Sequence, residues 1–173
     1  MRGMKWTTKN IALCAVLTAL ALGLSTLENL FPVSLLVPLP GVKLGLANIV
    51  TVFALYWLGA APALVILLAR CFLGAMFAGN FSALLFSLFG GVAAMLTMIG
   101  LRRCRGLSLY GVSVGGAAAH NIGQIAAACV TLGSPLVVGY LPVLLAVSLV
   151  TGTLTGFVAG LLFRAMRNVK LGA

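Results

Sequence analysis

PALVILLARCFLGAMFAGNFSALLFSLFGGVAAMLTMIG, residues 62 to 100, is the stretch on which the fold turns. One charged side chain, Arg70, stands among otherwise apolar and small residues. Gly79 and Asn80 divide the run into halves, each close to the ~20 residues a helix needs to cross a hydrocarbon core. Two membrane-spanning helices joined by a tight surface turn follow from that division.

The pattern repeats outward from there. Of the 173 residues, 62% are hydrophobic and 7% charged, more apolar surface than a soluble domain of this size needs. Spans are expected near residues 9 to 29, 44 to 58, 62 to 79, 81 to 100, 109 to 132 and 140 to 165, making residues 1 to 173 a single all-α, polytopic transmembrane domain of about six helices. The first run follows Arg2, Lys5 and Lys9, as a secretory leader would, but it is too long and no small-residue cleavage site precedes a soluble protein. It is read as the first span. Gly59, Ala60 and Ala61 separate the second and third spans, ahead of Pro62. The connection Phe31 to Val42 holds Pro32, Pro38, Pro40 and Gly41, which predicts an extended, lid-like loop.

Basic residues set the orientation. Arg2, Lys5 and Lys9 precede span one, Arg102, Arg103 and Arg105 follow span four, and Arg164, Arg167 and Lys170 close the chain, so six spans bring all nine to one side. The other side has Lys43 alone. Cytoplasmic loops retain Lys and Arg, so both termini are expected in the cytoplasm of a cell whose cytoplasmic membrane the chain crosses. The net charge of +10 therefore reflects topology, and nucleic acid is not an expected partner.

Polar residues inside the spans are the candidate site. An Arg at mid-helix disfavours insertion by about 3 kcal/mol, and the apolar neighbours of Arg70 offset that at about 0.3 to 0.6 kcal/mol each. Glu28 is the only acidic residue. At ~1.5 Å per residue it stands ~29 Å above the inner end of its span and Arg70 ~12 Å above the inner end of its own, a gap of ~17 Å that rules out direct pairing of unbroken helices. The same ruler puts Asn48 at ~22 Å, Ser148 at ~20 Å, and His120, Asn121 and Gln124 at ~16 to 22 Å. That outer polar layer has two readings: a pocket opening outward, or hydrogen-bonding glue between helices. Arg70 likewise either serves a ligand or snorkels to carbonyl groups. Gly152, Gly156 and Gly160 form a small-residue ridge suited to internal packing, and Ala12, Ala15 and Ala19 a shallower stripe open to packing or to a partner.

Several chemistries are missing. The sequence has no Asp, no G-x-x-x-x-G-K phosphate loop and no pair of carboxylates, so ATP hydrolysis and Mg²⁺-assisted phosphoryl or prenyl transfer lack their residues. His120 has neither an acid nor a nucleophile beside it in sequence and reads as binding or structural. Cys14, Cys71, Cys104 and Cys129 show no paired spacing, and no metal or cofactor is expected. A protein that binds without catalysing fits these absences.

The stretch Pro40-Gly41-Val42-Lys43-Leu44-Gly45-Leu46-Ala47-Asn48-Ile49-Val50, after a proline-containing loop, together with Ala119, His120, Asn121 and Gln124, resembles the family known as heptaprenyl diphosphate synthase component I, also called the Gx transporter family. That family looks like the S components of energy-coupling-factor (ECF) transporters. The resemblance implies a six-helix subunit that binds a small molecule from outside and depends on a coupling membrane subunit and two ATPases. It also implies that Ala15 and Ala19 form the alanine motif that contacts the coupling subunit. The synthase name implies instead an accessory membrane component without chemistry of its own. Lys43 at the mouth and Arg70 below it favour an anionic substrate; a flavin, a prenyl phosphate and a vitamin-like carboxylate all fit.

Overall fold

The computed structural model describes residues 7–30, 45–104 and 106–166. Six α-helices appear: α1 Thr8–Leu30, α2 Asn48–Trp57, α3 Ala60–Ala78, α4 Phe81–Leu101, α5 Leu109–Leu132 and α6 Leu141–Ala165, the last preceded by a 3-10 turn over Pro135–Tyr140. The described residues contain no strand. α1, α3, α4 and the Pro135–Ala165 segment are each long and apolar enough to cross a membrane. The chain is an all-α membrane bundle.

Local chemistry sets the helix ends. Gly79 closes α3 in the left-handed conformation, φ 60°, where a side chain would be strained, and the Asn80 side chain then accepts from the N–H groups of Ser82 at 2.9 Å and Ala83 at 3.4 Å to open α4. Ser108 plays the same capping role for α5, accepting from Gly111 N–H.

α5, at 24 residues, is long enough to cross, although it lacks the sustained apolar run of the four segments named above. Its polar and small residues, Ser113, Gly116, His120, Asn121, Gly123 and Gln124, are buried against neighbours, while Ile122 and Val130 face outward. A helix can carry such groups through lipid only when protein covers them.

The span expected over residues 44 to 58 is corrected. α2 has 10 residues, about 15 Å of helix against a hydrocarbon core of about 30 Å, and cannot cross alone. Asn48 to Leu55 are all buried, in contact with α1, α3, α4 and α6. A helix hydrophobic all round is a core helix, and α2 is the post around which the others stand. Its C-terminal end is fastened by Phe53, whose ring lies 4.8 Å from Trp57 and 5.0 Å from Phe163 of α6. Arg102, at the end of α4, donates to the carbonyl of Leu55 and lies over the ring of Tyr56. The basic end of α4 therefore shares one face of the bundle with the α2–α3 turn and the end of α6, as the placement of the basic residues requires.

Candidate functional site

Because α2 is short, the depths assigned to its residues shift. Asn48 lies nine residues before Trp57 and Arg70 ten residues after Ala60, about 14 Å and 15 Å from the turn that joins their helices. The two residues sit at one level, correcting the ~10 Å separation expected from a full-length second span. Nη2 of Arg70 donates to Oδ1 of Asn48 at 3.4 Å. Above them, Oε1 of Glu28 accepts from the backbone N–H of Leu46 at 2.7 Å. Arg70 and Glu28 thus each bond to the chain where α2 begins, one to the Asn48 side chain and the other to the Leu46 N–H.

Electrostatics accounts for this division. The start of a helix carries partial positive charge, which favours the Glu28 carboxylate and disfavours a guanidinium. The side-chain oxygen of Asn48 faces Arg70 in place of the helix end. Residues 45 to 47 make the turn that permits it, with Gly45 at φ 85° and its carbonyl accepting from Asn48 N–H at 2.8 Å. Nonhelical backbone at membrane depth is tolerated only where protein or a cavity surrounds it.

His120 comes in from α5. The position a Cβ would take at Gly90 of α4 lies 2.8 Å from its Cε1, and the corresponding position at Gly45 lies 3.4 Å from its Cδ2. The imidazole is held between α4 and the turn that leads into α2. Gln124, one helical turn on, has Cγ 3.0 Å from the same Gly90 position. Next to it, the Gly91 position is 3.5 Å from Nη2 of Arg70. Asn48, Arg70, His120 and Gln124 thus converge over a Gly-Gly floor.

Asn121 and Ser148 were expected in this layer and are engaged elsewhere. Nδ2 of Asn121 donates to the carbonyl of Leu144 in α6 at 2.7 Å, and Oγ of Ser148 donates to Leu145 in its own helix at 2.6 Å. The Asn121 bond joins α5 to α6. Lys43 and the loop over residues 31 to 42 lie outside the described residues. Asn48, Arg70, His120, Asn121 and Gln124 are each at most 6% exposed, so the outward opening expected of the layer is not a feature of the described residues.

The glycine ridge packs inward. A Cβ at Gly152 would lie 2.5 Å from Cα of Val114, and one at Gly156 3.1 Å from Cα of Tyr110, both on α5; Gly160 has more room, 3.9 Å from Leu109. Ala12, Ala15 and Ala19 are all exposed on α1, and Gly23, also exposed, continues their stripe with nothing within 4 Å of its Cβ position. Sequence reasoning missed Gly90, Gly91 and Gly123. At Gly123 a Cβ would meet the carbonyl oxygen of Phe89 at 2.4 Å, so α4 and α5 touch backbone to backbone. The signal was there: a Gly-Gly pair in an apolar span marks close approach of a neighbour.

Among the described residues no three metal-ligating side chains gather. Residues 17–162 match the family model described as "Heptaprenyl diphosphate synthase component I", a region that includes every residue of the polar cluster. No curated protein and no solved structure matches the chain.

Proposed function

The chain belongs to the heptaprenyl diphosphate synthase component I family, and on that footing we propose that it is the substrate-binding membrane subunit of an ECF-type uptake transporter, taking a small anionic molecule. The buried pair Arg70–Asn48 carries this reading, with His120 and Gln124 beside it. A bundle that needed only to fold would gain nothing from a cation in its core; binding an anion gives the cation a purpose. The chain does no chemistry in this reading, and the energy comes from a coupling subunit and ATPases docked on the stripe of Ala12, Ala15 and Ala19. Both termini lie in the cytoplasm, and the ligand arrives from outside.

A second reading is favoured by the description of the family itself. There the chain is a non-catalytic membrane component of a polyprenyl diphosphate synthase complex, and the polar cluster serves assembly. Affinity purification of the tagged chain from its native membrane separates the two. A second membrane subunit with ATPases in the eluate supports the transporter; a soluble, aspartate-rich synthase in their place replaces it with the accessory component.

A further inference from the structure

We propose that the edge of the Arg70 guanidinium bearing Nε and Nη2 is the binding point for a single carboxylate of the transported molecule, and that a diphosphate is rejected there. The inference rests on the reading of the chain as a substrate-binding subunit and adds the charge and shape of the group recognised. In a planar guanidinium the Nε–H and one Nη2–H point the same way, at the spacing of two carboxylate oxygens. On Arg70 this edge is underused. Nη2 has a neutral acceptor at 3.4 Å, at the long limit of a hydrogen bond, and Nε is buried with no acceptor among the described residues. The side chain is 6% exposed, so water does not make up the difference. Gly91 of α4 backs the guanidinium, its Cβ position standing 3.5 Å from Nη2, an ordinary contact distance.

Charge decides between carboxylate and phosphate. One carboxylate brings the buried charge at Arg70 to zero. A phosphate monoester carries about −1.5 to −2 near neutral pH, and a diphosphate more, leaving uncompensated negative charge in a medium of low dielectric. Among the described residues no other Lys or Arg stands beside Arg70. Lys9, Arg102, Arg103 and Arg164 lie at helix ends, with Arg102 eleven residues, about 16 Å of helix, from Gly91.

The test uses the full chain in detergent micelles at matched ionic strength, with acetate, benzoate and inorganic diphosphate as probes. The Nε–Hε resonance of Arg70 is identified by its loss in Arg70→Lys. Acetate and benzoate are expected to shift it saturably, and diphosphate to bind at least about tenfold more weakly, a difference of about 1.4 kcal/mol. Benzoate should raise the unfolding temperature of the wild type and leave that of Arg70→Lys unchanged. Equal or tighter binding of diphosphate, an Arg70 signal that neither carboxylate moves, or equal stabilisation of Arg70→Lys overturns the assignment. Partner recovery keeps the two ideas apart. If the wild type still brings down a coupling subunit and ATPases, failure of the probes overturns the carboxylate site alone; if it does not, the binding-subunit reading fails whatever the probes do.

Discussion

Arg70 of α3 reaches Asn48 of α2 at 3.4 Å, two residues along the chain from the Leu46 N–H that holds Glu28. The only acid and the one buried Arg among the described residues are thereby tied to a single turn at the head of a half-length helix.

Glu28 should act chiefly as a hydrogen-bond acceptor. Glu28→Ala leaves the Leu46 N–H without its carboxylate in a region where Glu28 is 3% exposed, at an expected loss of about 1 to 3 kcal/mol. Glu28→Gln keeps an acceptor oxygen and should lose less than half as much. Thermal unfolding in detergent compares them, and equal losses would assign the effect to the charge.

The glycine floor makes a graded set. Gly123→Ala drives a Cβ to 2.4 Å from a backbone oxygen, and Gly90→Ala to 2.8 Å from the imidazole of His120, which has some freedom to turn. Overpacking of this kind costs about 1 to 3 kcal/mol. Gly100→Ala, with nothing within 4 Å, should be neutral or stabilise by up to about 1 kcal/mol through helix propensity. The expected order of unfolding temperatures is Gly100→Ala highest, Gly90→Ala below it and Gly123→Ala lowest.

Helices α3, α4 and α5 were legible because ends of each are marked chemically. Gly79-Asn80, Ser108 and Gly133 stop and start helices wherever they lie, and the expected 109 to 132 is the observed α5. The nature of α2 was hidden. Hydropathy reports that a segment avoids water and does not say whether lipid or protein surrounds it, so Asn48 to Leu55, buried on every side, looked like part of a span. The same error displaced Asn48 in depth and concealed its contact with Arg70. Polarity picked out Arg70, His120 and Gln124, but the room the last two occupy comes from Gly90, whose meaning depends on a neighbour that the local sequence does not name.

Asn121 and Gln124 should part company. Asn121→Ala removes a bond to the Leu144 carbonyl and is expected to lower stability by about 0.6 kcal/mol, at most about 1.7, without weakening the binding of benzoate. Gln124→Ala acts at the cluster and should weaken that binding. Unfolding curves with and without benzoate read both, and loss of binding in Asn121→Ala at unchanged stability would return Asn121 to the site.

Orientation can be read with a native side chain. Cys104 is exposed in the connection between α4 and α5, whereas Cys14 and Cys71 are buried. An impermeant maleimide should leave Cys104 unlabelled in intact cells and label it in inside-out vesicles, with Cys104→Ser as the control. Labelling in intact cells would reverse the topology.

The docking face proposed on α1 gives the sharpest separation between folding and assembly. Lipid is as apolar as a helix surface, so two membrane subunits gain by close packing over small side chains and not by hydrophobicity. Ala12, Ala15, Ala19 and Gly23 recur at three- and four-residue spacing on α1 and are all exposed, between the larger exposed side chains Val16 and Leu20. Trp at Ala15 and Ala19 would project into lipid without touching the core, so the fold should survive. Arg70 and Asn48 are buried on α3 and α2 whereas the stripe is exposed on α1, so benzoate binding should survive as well. A partner helix, however, would be held off by two indole rings. Ala15→Trp with Ala19→Trp is therefore expected to unfold within a degree or two of the wild type and to bind benzoate as well, while recovery of the coupling subunit and uptake in cells fall at least about tenfold, a loss of about 1.4 kcal/mol of association. Uptake at the wild-type rate by this double variant would remove α1 as the docking face, and uptake by the chain alone in ATP-free liposomes would remove the partner itself.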